Sequence, residues 1–166
     1  MSIKIKILGS GREVGRAGIL IKSKTDTILC DYGVDISGEE PKFPLHVKPR
    51  EIDFICLTHA HLDHSGGIPL LYVNERKPLI TTSLTWELAE LLIKDFLKIS
   101  KYYVPYEIIE LEETRNNVIE GEYGSRFKLK GSNVTVKLYN SGHIPGSSLF
   151  MLELDGFKIL YTGDFN

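Results

Sequence analysis

Thr58-His59-Ala60-His61-Leu62-Asp63-His64 is the stretch from which the rest of the sequence is read. It follows the apolar run 52–57 and precedes Ser65-Gly66-Gly67, which places it where a buried strand gives way to a helix. In an extended segment, residues two apart point the same way, so His59 and His61 can grip one cation together; on a helix they would point nearly opposite ways. Asp63 and His64 come after the chain begins to turn and can face a second cation. Imidazole and carboxylate are the ligands of an exchangeable hydrolytic zinc site. A lone histidine would be read as a surface or capping residue. Three histidines and an aspartate within six residues are not explained that way.

Working outward, the other candidates occupy equivalent places. His143 lies in Ser141-Gly142-His143-Ile144-Pro145-Gly146 after an apolar run, Asp164 follows the run 158–161, and Asp31 follows 27–30. Each sits where a strand becomes a loop, the usual place for chemistry on a rigid scaffold. His46 has no such context and reads as a loop residue. Cys30 and Cys56 lie inside apolar runs and read as buried small hydrophobes, not as a disulfide, a metal site or a nucleophile.

Strands are expected at 3–8, 19–21, 27–30, 52–57, 79–81, 134–139, 149–154 and 158–161, with 19–21 and 27–30 forming a hairpin. Residues 9–18 and 34–51 read as loops, 68–73 as a short helix, and 107–125 as ambiguous. The clearest helix is 83–100, with Ser83 available as N-cap and Leu84, Leu88, Leu91, Leu92, Phe96 and Ile99 as its apolar stripe. Lys94, Lys98 and Lys101 then share its solvated side. Gly9, Gly11 and Gly15 after the first strand resemble a dinucleotide fingerprint, but the last gap is one residue too long and 17–21 reads as strand where that motif needs a helix.

The 166 residues suffice for one domain with a core, and the 42% hydrophobic and 25% charged residues are ordinary for a globular protein. No apolar run approaches a membrane span and no signal peptide precedes the first strand, so the expectation is a cytoplasmic protein without a membrane partner. A net charge of −2 argues against a chain that holds nucleic acid by charge alone. It leaves phosphate chemistry at a metal pair open, because the metals bring their own positive charge.

The His-x-His-x-Asp-His run, with His143 and Asp164 behind it, is similar to the metallo-β-lactamase superfamily over nearly the whole chain. Gly11-Arg12-Glu13-Val14-Gly15-Arg16, Gly142-His143-Ile144-Pro145-Gly146-Ser147 and Tyr161-Thr162-Gly163-Asp164-Phe165-Asn166 resemble more narrowly its β-CASP branch of RNA-processing nucleases. The resemblance implies an α/β fold: residues 1–166 as the N-terminal portion of an αββα sandwich, without the β-CASP insert and the returning C-terminal segment. It implies that His59, His61 and His143 hold a first Zn2+, that Asp63 and His64 hold a second, and that Asp164 bridges both. Asp63 and Asp31 take catalytic parts, Asp31 by orienting a histidine from behind.

In the family a further histidine from the returning segment completes the second zinc site, and the sequence after Asp164 contains none. The expectation is therefore an incomplete half of a zinc-dependent ribonuclease, weak or inactive alone, with one zinc held tightly. Its partners would be RNA and a complementary C-terminal half or a homo-oligomer. The alternatives are another hydrolase of this fold, of thioesterase or lactonase type, and a non-catalytic metal-binding subunit.

Overall fold

The computed structural model describes residues 2–100 and 102–166. Strands β1 (Lys4–Gly9), β2 (Gly18–Lys22) and β3 (Thr27–Cys30) form an antiparallel meander. Then β4 (Phe54–Cys56), β5 (Leu79–Thr81) and β6 (Val118–Glu120) add on in parallel, giving a six-stranded sheet in sequential order. A second, antiparallel sheet contains β7 (Arg126–Lys128), β8 (Thr135–Asn140), β9 (Ser148–Leu154) and β10 (Phe157–Tyr161) in the order β10-β9-β8-β7. The helices are α1 (Leu62–Ser65), α2 (Ser83–Ile99) and α3 (Ile108–Arg115), with single 3-10 turns at Pro49–Glu51 and Ile68–Tyr72.

The central strands are apolar on both faces because both faces are covered. Ile28, Cys30, Phe54, Cys56 and Ile80 meet Val136, Leu138, Phe150 and Leu152 of the second sheet. On the other side, Leu29, Ile55, Leu57 and Leu79 pack against Ile68, Trp86, Ala89, Ile93, Phe96 and Leu111. The layers therefore run helices, six-stranded sheet, four-stranded sheet. By strand alternation the second sheet turns Lys137, Met151 and Leu160 outward, and among the described residues no helical layer covers that face. Cys30 and Cys56 are cross-strand partners with free, fully buried thiols, and burial pushes that of Cys56 well up.

Helix α2 corrects two expectations. Its N-cap is Thr82, not Ser83: the Thr82 side chain accepts the backbone N–H of Thr85. Of the expected stripe Phe96 and Leu88 do pack inward, but the rest of the face toward the sheet is Trp86, Ala89 and Ile93, while Leu91 and Ile99 are 62% and 70% exposed and Leu84 and Leu92 also lie on the surface. Both stripes have helical spacing, so periodicity alone could not choose between them. The rotation is set at the helix start, where the hydroxyls of Thr82 and Thr85 both donate to the carbonyl of Gly146. On the solvated side Lys94 bonds Glu90 and Lys98 is exposed; Lys101 lies outside the described residues. The stretch that read as ambiguous holds α3 and β6, the helix opening on a capping box between Glu107 and Glu110.

Candidate metal centre

The sheet topology collects the ends of β3, β4, β8 and β10 along one edge, and Asp31, His59, His143 and Asp164 follow those ends directly or within three residues. His61 is the N-cap of α1, and Asp63 and His64 lie in its single turn. The turn is clamped by backbone bonds from two neighbouring loops. Ala17 N donates to Asp63 O (2.7 Å), Tyr32 N to His64 O (2.9 Å), and Val34 N to Leu62 O (2.8 Å). Such proximity requires Gly33, because a Cβ there would stand 1.7 Å from the carbonyl oxygen of Asp63.

Three imidazole nitrogens and a carboxylate oxygen converge. His59 Nε2 and His143 Nε2 lie 3.2 and 3.3 Å from His61 Nδ1. Asp164 Oδ2 lies 3.6 Å from His143 Nε2 and 3.9 Å from His59 Nε2. All four donor atoms fall within 4.8 Å of one another. Zinc bonds of ~2.0–2.1 Å in a tetrahedron put neighbouring donors about 3.3 Å apart, so this set fits a zinc-sized cation by spacing as well as by donor type. The other oxygen of Asp164, Oδ1, lies 3.6 Å from His64 Nε2, which is in turn 3.9 Å from Asp63 Oδ2. One carboxylate thus faces two sets of donors.

Behind these atoms lies Asp31, fully buried and in a left-handed backbone conformation (φ 56°). Its Oδ1 accepts the backbone N–H of Thr58 (2.8 Å). Its Oδ2 lies 2.8 Å from each of the Thr58 hydroxyl, the Tyr161 hydroxyl and His64 Nδ1. Asp31 therefore touches His64 from the side away from the other donors, and acts through it.

The electrostatics follow. Burial and the neighbouring His64 push the pKa of His59 down to about 4, so its imidazole is neutral with a lone pair free. For His64 burial disfavours the charged ring, but the bond to Asp31 and the charges of Asp63 and Asp164 outweigh it and the pKa is raised. Burial likewise opposes the charge on Asp31, yet His64 and Thr58 hold its carboxyl below the ordinary range.

Beside His64 and Asp164 opens a cavity of about 490 Å3, walled by the loop between β1 and β2, including Ser10, Gly11, Glu13 and Val14. His46 is exposed and lines a different cavity with Tyr32, Val47 and Leu71. The candidates Asp31, His59, His61, Asp63, His64, His143 and Asp164 all meet in one place. Nothing in the sequence singles out Thr58 and Tyr161, because a hydroxyl beside a motif carries no spacing signal. Only their position after β4 and at the end of β10 points to them.

A mixed sheet layered on a second sheet, with histidines and aspartates gathered at one edge, makes a scaffold able to hold a metal ion. Residues 12–166 match the model of the metallo-beta-lactamase superfamily, and the chain belongs to that family. RNase aCSPSF2 of Saccharolobus solfataricus is 38% identical over 168 residues, spanning 100% of this chain and 34% of that protein. Probable RNase MJ4 of Methanocaldococcus jannaschii is 37% identical, over 98% of this chain and 39% of that protein. Cleavage and polyadenylation specificity factor 73 of Drosophila melanogaster is 32% identical, over 99% of this chain and 25% of that protein. The chain thus spans about a third of the length of these relatives. Among solved structures, the Cronobacter sakazakii metallo-β-lactamase with a HARLDQ motif shares the fold, with a TM-score of 0.61 at 22% identity over 98% of this chain and 62% of that one. No helix of the described residues is long and apolar enough to cross a membrane.

Proposed function

We propose that this chain is the metal-binding portion of a zinc-dependent ribonuclease. His59, His61 and His143 would hold one Zn2+ and Asp63 and His64 a second, with Asp164 offering an oxygen to each set. The observation that carries the reading is the placement of Asp164, with one oxygen toward His59 and His143 and the other toward His64. Bound zinc lowers the pKa of its water to ~7 and polarises a phosphoryl oxygen. The chain's own residues prepare the place. Asp31 holds His64 in one orientation, and the loop 10–17 walls the cavity that receives the RNA backbone. Asp63, partly exposed beside that cavity, would take the proton of the attacking water. The names of the archaeal relatives and the fly factor favour RNA over a thioester or lactone substrate.

General acid–base help is typically worth 10²–10⁴-fold, and the leaving-group acid belongs, in this reading, to the part of the relatives that this chain does not span. The 166 residues alone should therefore cleave labelled single-stranded RNA barely above background. Mixing with a complementary C-terminal portion should bring zinc-dependent cleavage, lost again with His59→Ala or Asp63→Ala. Cleavage by the chain alone that survives His59→Ala would overturn the mechanism. Hydrolysis of a thioester or lactone with RNA untouched would favour that other class of hydrolase.

A further inference from the structure

Thr58 and Asp31 together link two histidines that belong to different donor sets. Its Oγ1 is 2.8 Å from Asp31 Oδ2 and 3.0 Å from His59 Nδ1. A hydroxyl has one proton and an ionised carboxylate has none, so the proton between Thr58 and Asp31 must come from Thr58. The reverse assignment, with Thr58 donating to His59, would leave two bare oxygens facing each other in a buried site, which is costly. The Thr58 oxygen is then left to accept, and His59 Nδ1 must carry a hydrogen. Asp31 Oδ2 draws a hydrogen from His64 Nδ1 at 2.8 Å in the same way, and Tyr161 donates its hydroxyl proton to that oxygen.

We propose that Thr58 is a positioning residue that relays Asp31 to His59, so that one carboxylate sets the tautomers of His59 and His64 together. As neutral rings, both then carry hydrogen on Nδ1 and turn a bare Nε2 toward Asp164. One buried carboxylate prepares both donor sets, and Thr58 extends its reach to the first. Backbone bonds hold Thr58 in this role: its N–H donates to Asp31 Oδ1, and its carbonyl accepts Ser148 N at 2.8 Å. Gly163 gives the hydroxyl its space, since a Cβ at that position would stand 2.6 Å from Thr58 Oγ1. His61 lies outside the network and turns Nδ1, not Nε2, toward the other ligands. The inference rests on the proposed metal reading for its functional meaning, but the tautomers can be measured without metal.

The test is long-range 1H–15N correlation of the histidine rings in the metal-free chain, followed by zinc titration against a competing chelator. Wild type should show Nδ1–H for both His59 and His64. Thr58→Val removes the hydroxyl but keeps the backbone N–H. It should leave His64 unchanged, turn His59 into a tautomer mixture, and weaken the tighter zinc site by about 10–100-fold, the usual effect of losing a hydrogen-bond partner behind a ligand. Thr58→Ser should restore both readouts. A wild-type His59 protonated on Nε2 would overturn the proposal whether or not any variant folds. So would a Thr58→Val chain with an unchanged His59 tautomer and unchanged zinc affinity. The predicted tautomers with no zinc binding in wild type would sink the metal reading and leave the network standing.

Discussion

Asp31 Oδ2 lies 2.8 Å from His64 Nδ1, and both side chains are buried, Asp31 completely. The pair joins a residue at the end of β3 to one in α1, so a fully buried carboxylate controls a ring whose far nitrogen faces Asp63 and Asp164. Asp31→Asn removes the charge and offers an amide in its place. If the proposed two-zinc reading holds, the weaker site should lose about 10–100-fold in affinity. Chelator competition measures this, and unchanged affinity at both sites would show that the contact has no bearing on metal.

The shared position of Asp164 predicts unequal occupancy. The first set offers His59, His61, His143 and an oxygen of Asp164, whereas the second has Asp63, His64 and the other oxygen. After dialysis against a mild chelator, metal analysis should find close to one zinc per chain. Two ions retained equally would require a further ligand that these residues do not supply.

Gly33 allows the loop after β3 to run against the backbone of Asp63. Gly33→Ala forces a 1.7 Å contact, so either the loop or α1 must move. Overpacking of this kind costs about 1–3 kcal/mol, which for a chain of this size lowers Tm by about 2–12 °C, with loss of zinc alongside. A variant that melts with wild type and holds its metal would refute the clamp.

Among the described residues strand β10 pairs only with β9, and Ile5 and Ile7 of the edge strand β1 are 58% and 55% exposed. An open edge beside exposed apolar side chains invites pairing with another chain. Sedimentation of the isolated chain should show self-association, reduced by Leu160→Lys on β10. A single monomeric species at every concentration would count against this.

Glu90 of α2 is held by Lys94 (2.6 Å) and Arg115 (2.9 Å). Burial alone would raise its pKa, but the two cations outweigh burial and lower it. Its contribution to stability is therefore complete above the ordinary glutamate pKa of ~4.3 and is lost as the pH falls through the lower, folded value. Glu90→Gln should cost about 1.5–3 kcal/mol at neutral pH and flatten the acid limb of the stability curve. Equal losses at pH 7 and at acid pH would contradict the ion-pair account.

Periodicity and turn residues mark most of the strands, and the spacing of His59, His61, Asp63 and His64 marks a concentration of metal-ligand residue types. Such features are legible because they are local: alternation, an apolar run, ligands two residues apart. The working face of α2 was not local. Two helical stripes competed, and the bonds from Thr82 and Thr85 to Gly146, more than 60 residues away, chose between them. The same holds for Thr58 and Tyr161, ordinary hydroxyl residues until β3, β4 and β10 bring them onto one buried carboxylate. Sequence by itself determined which side chains are able to bind a metal. Tertiary structure decided which nitrogen each histidine turns toward the others, because ring orientation depends on what the fold packs around the ring.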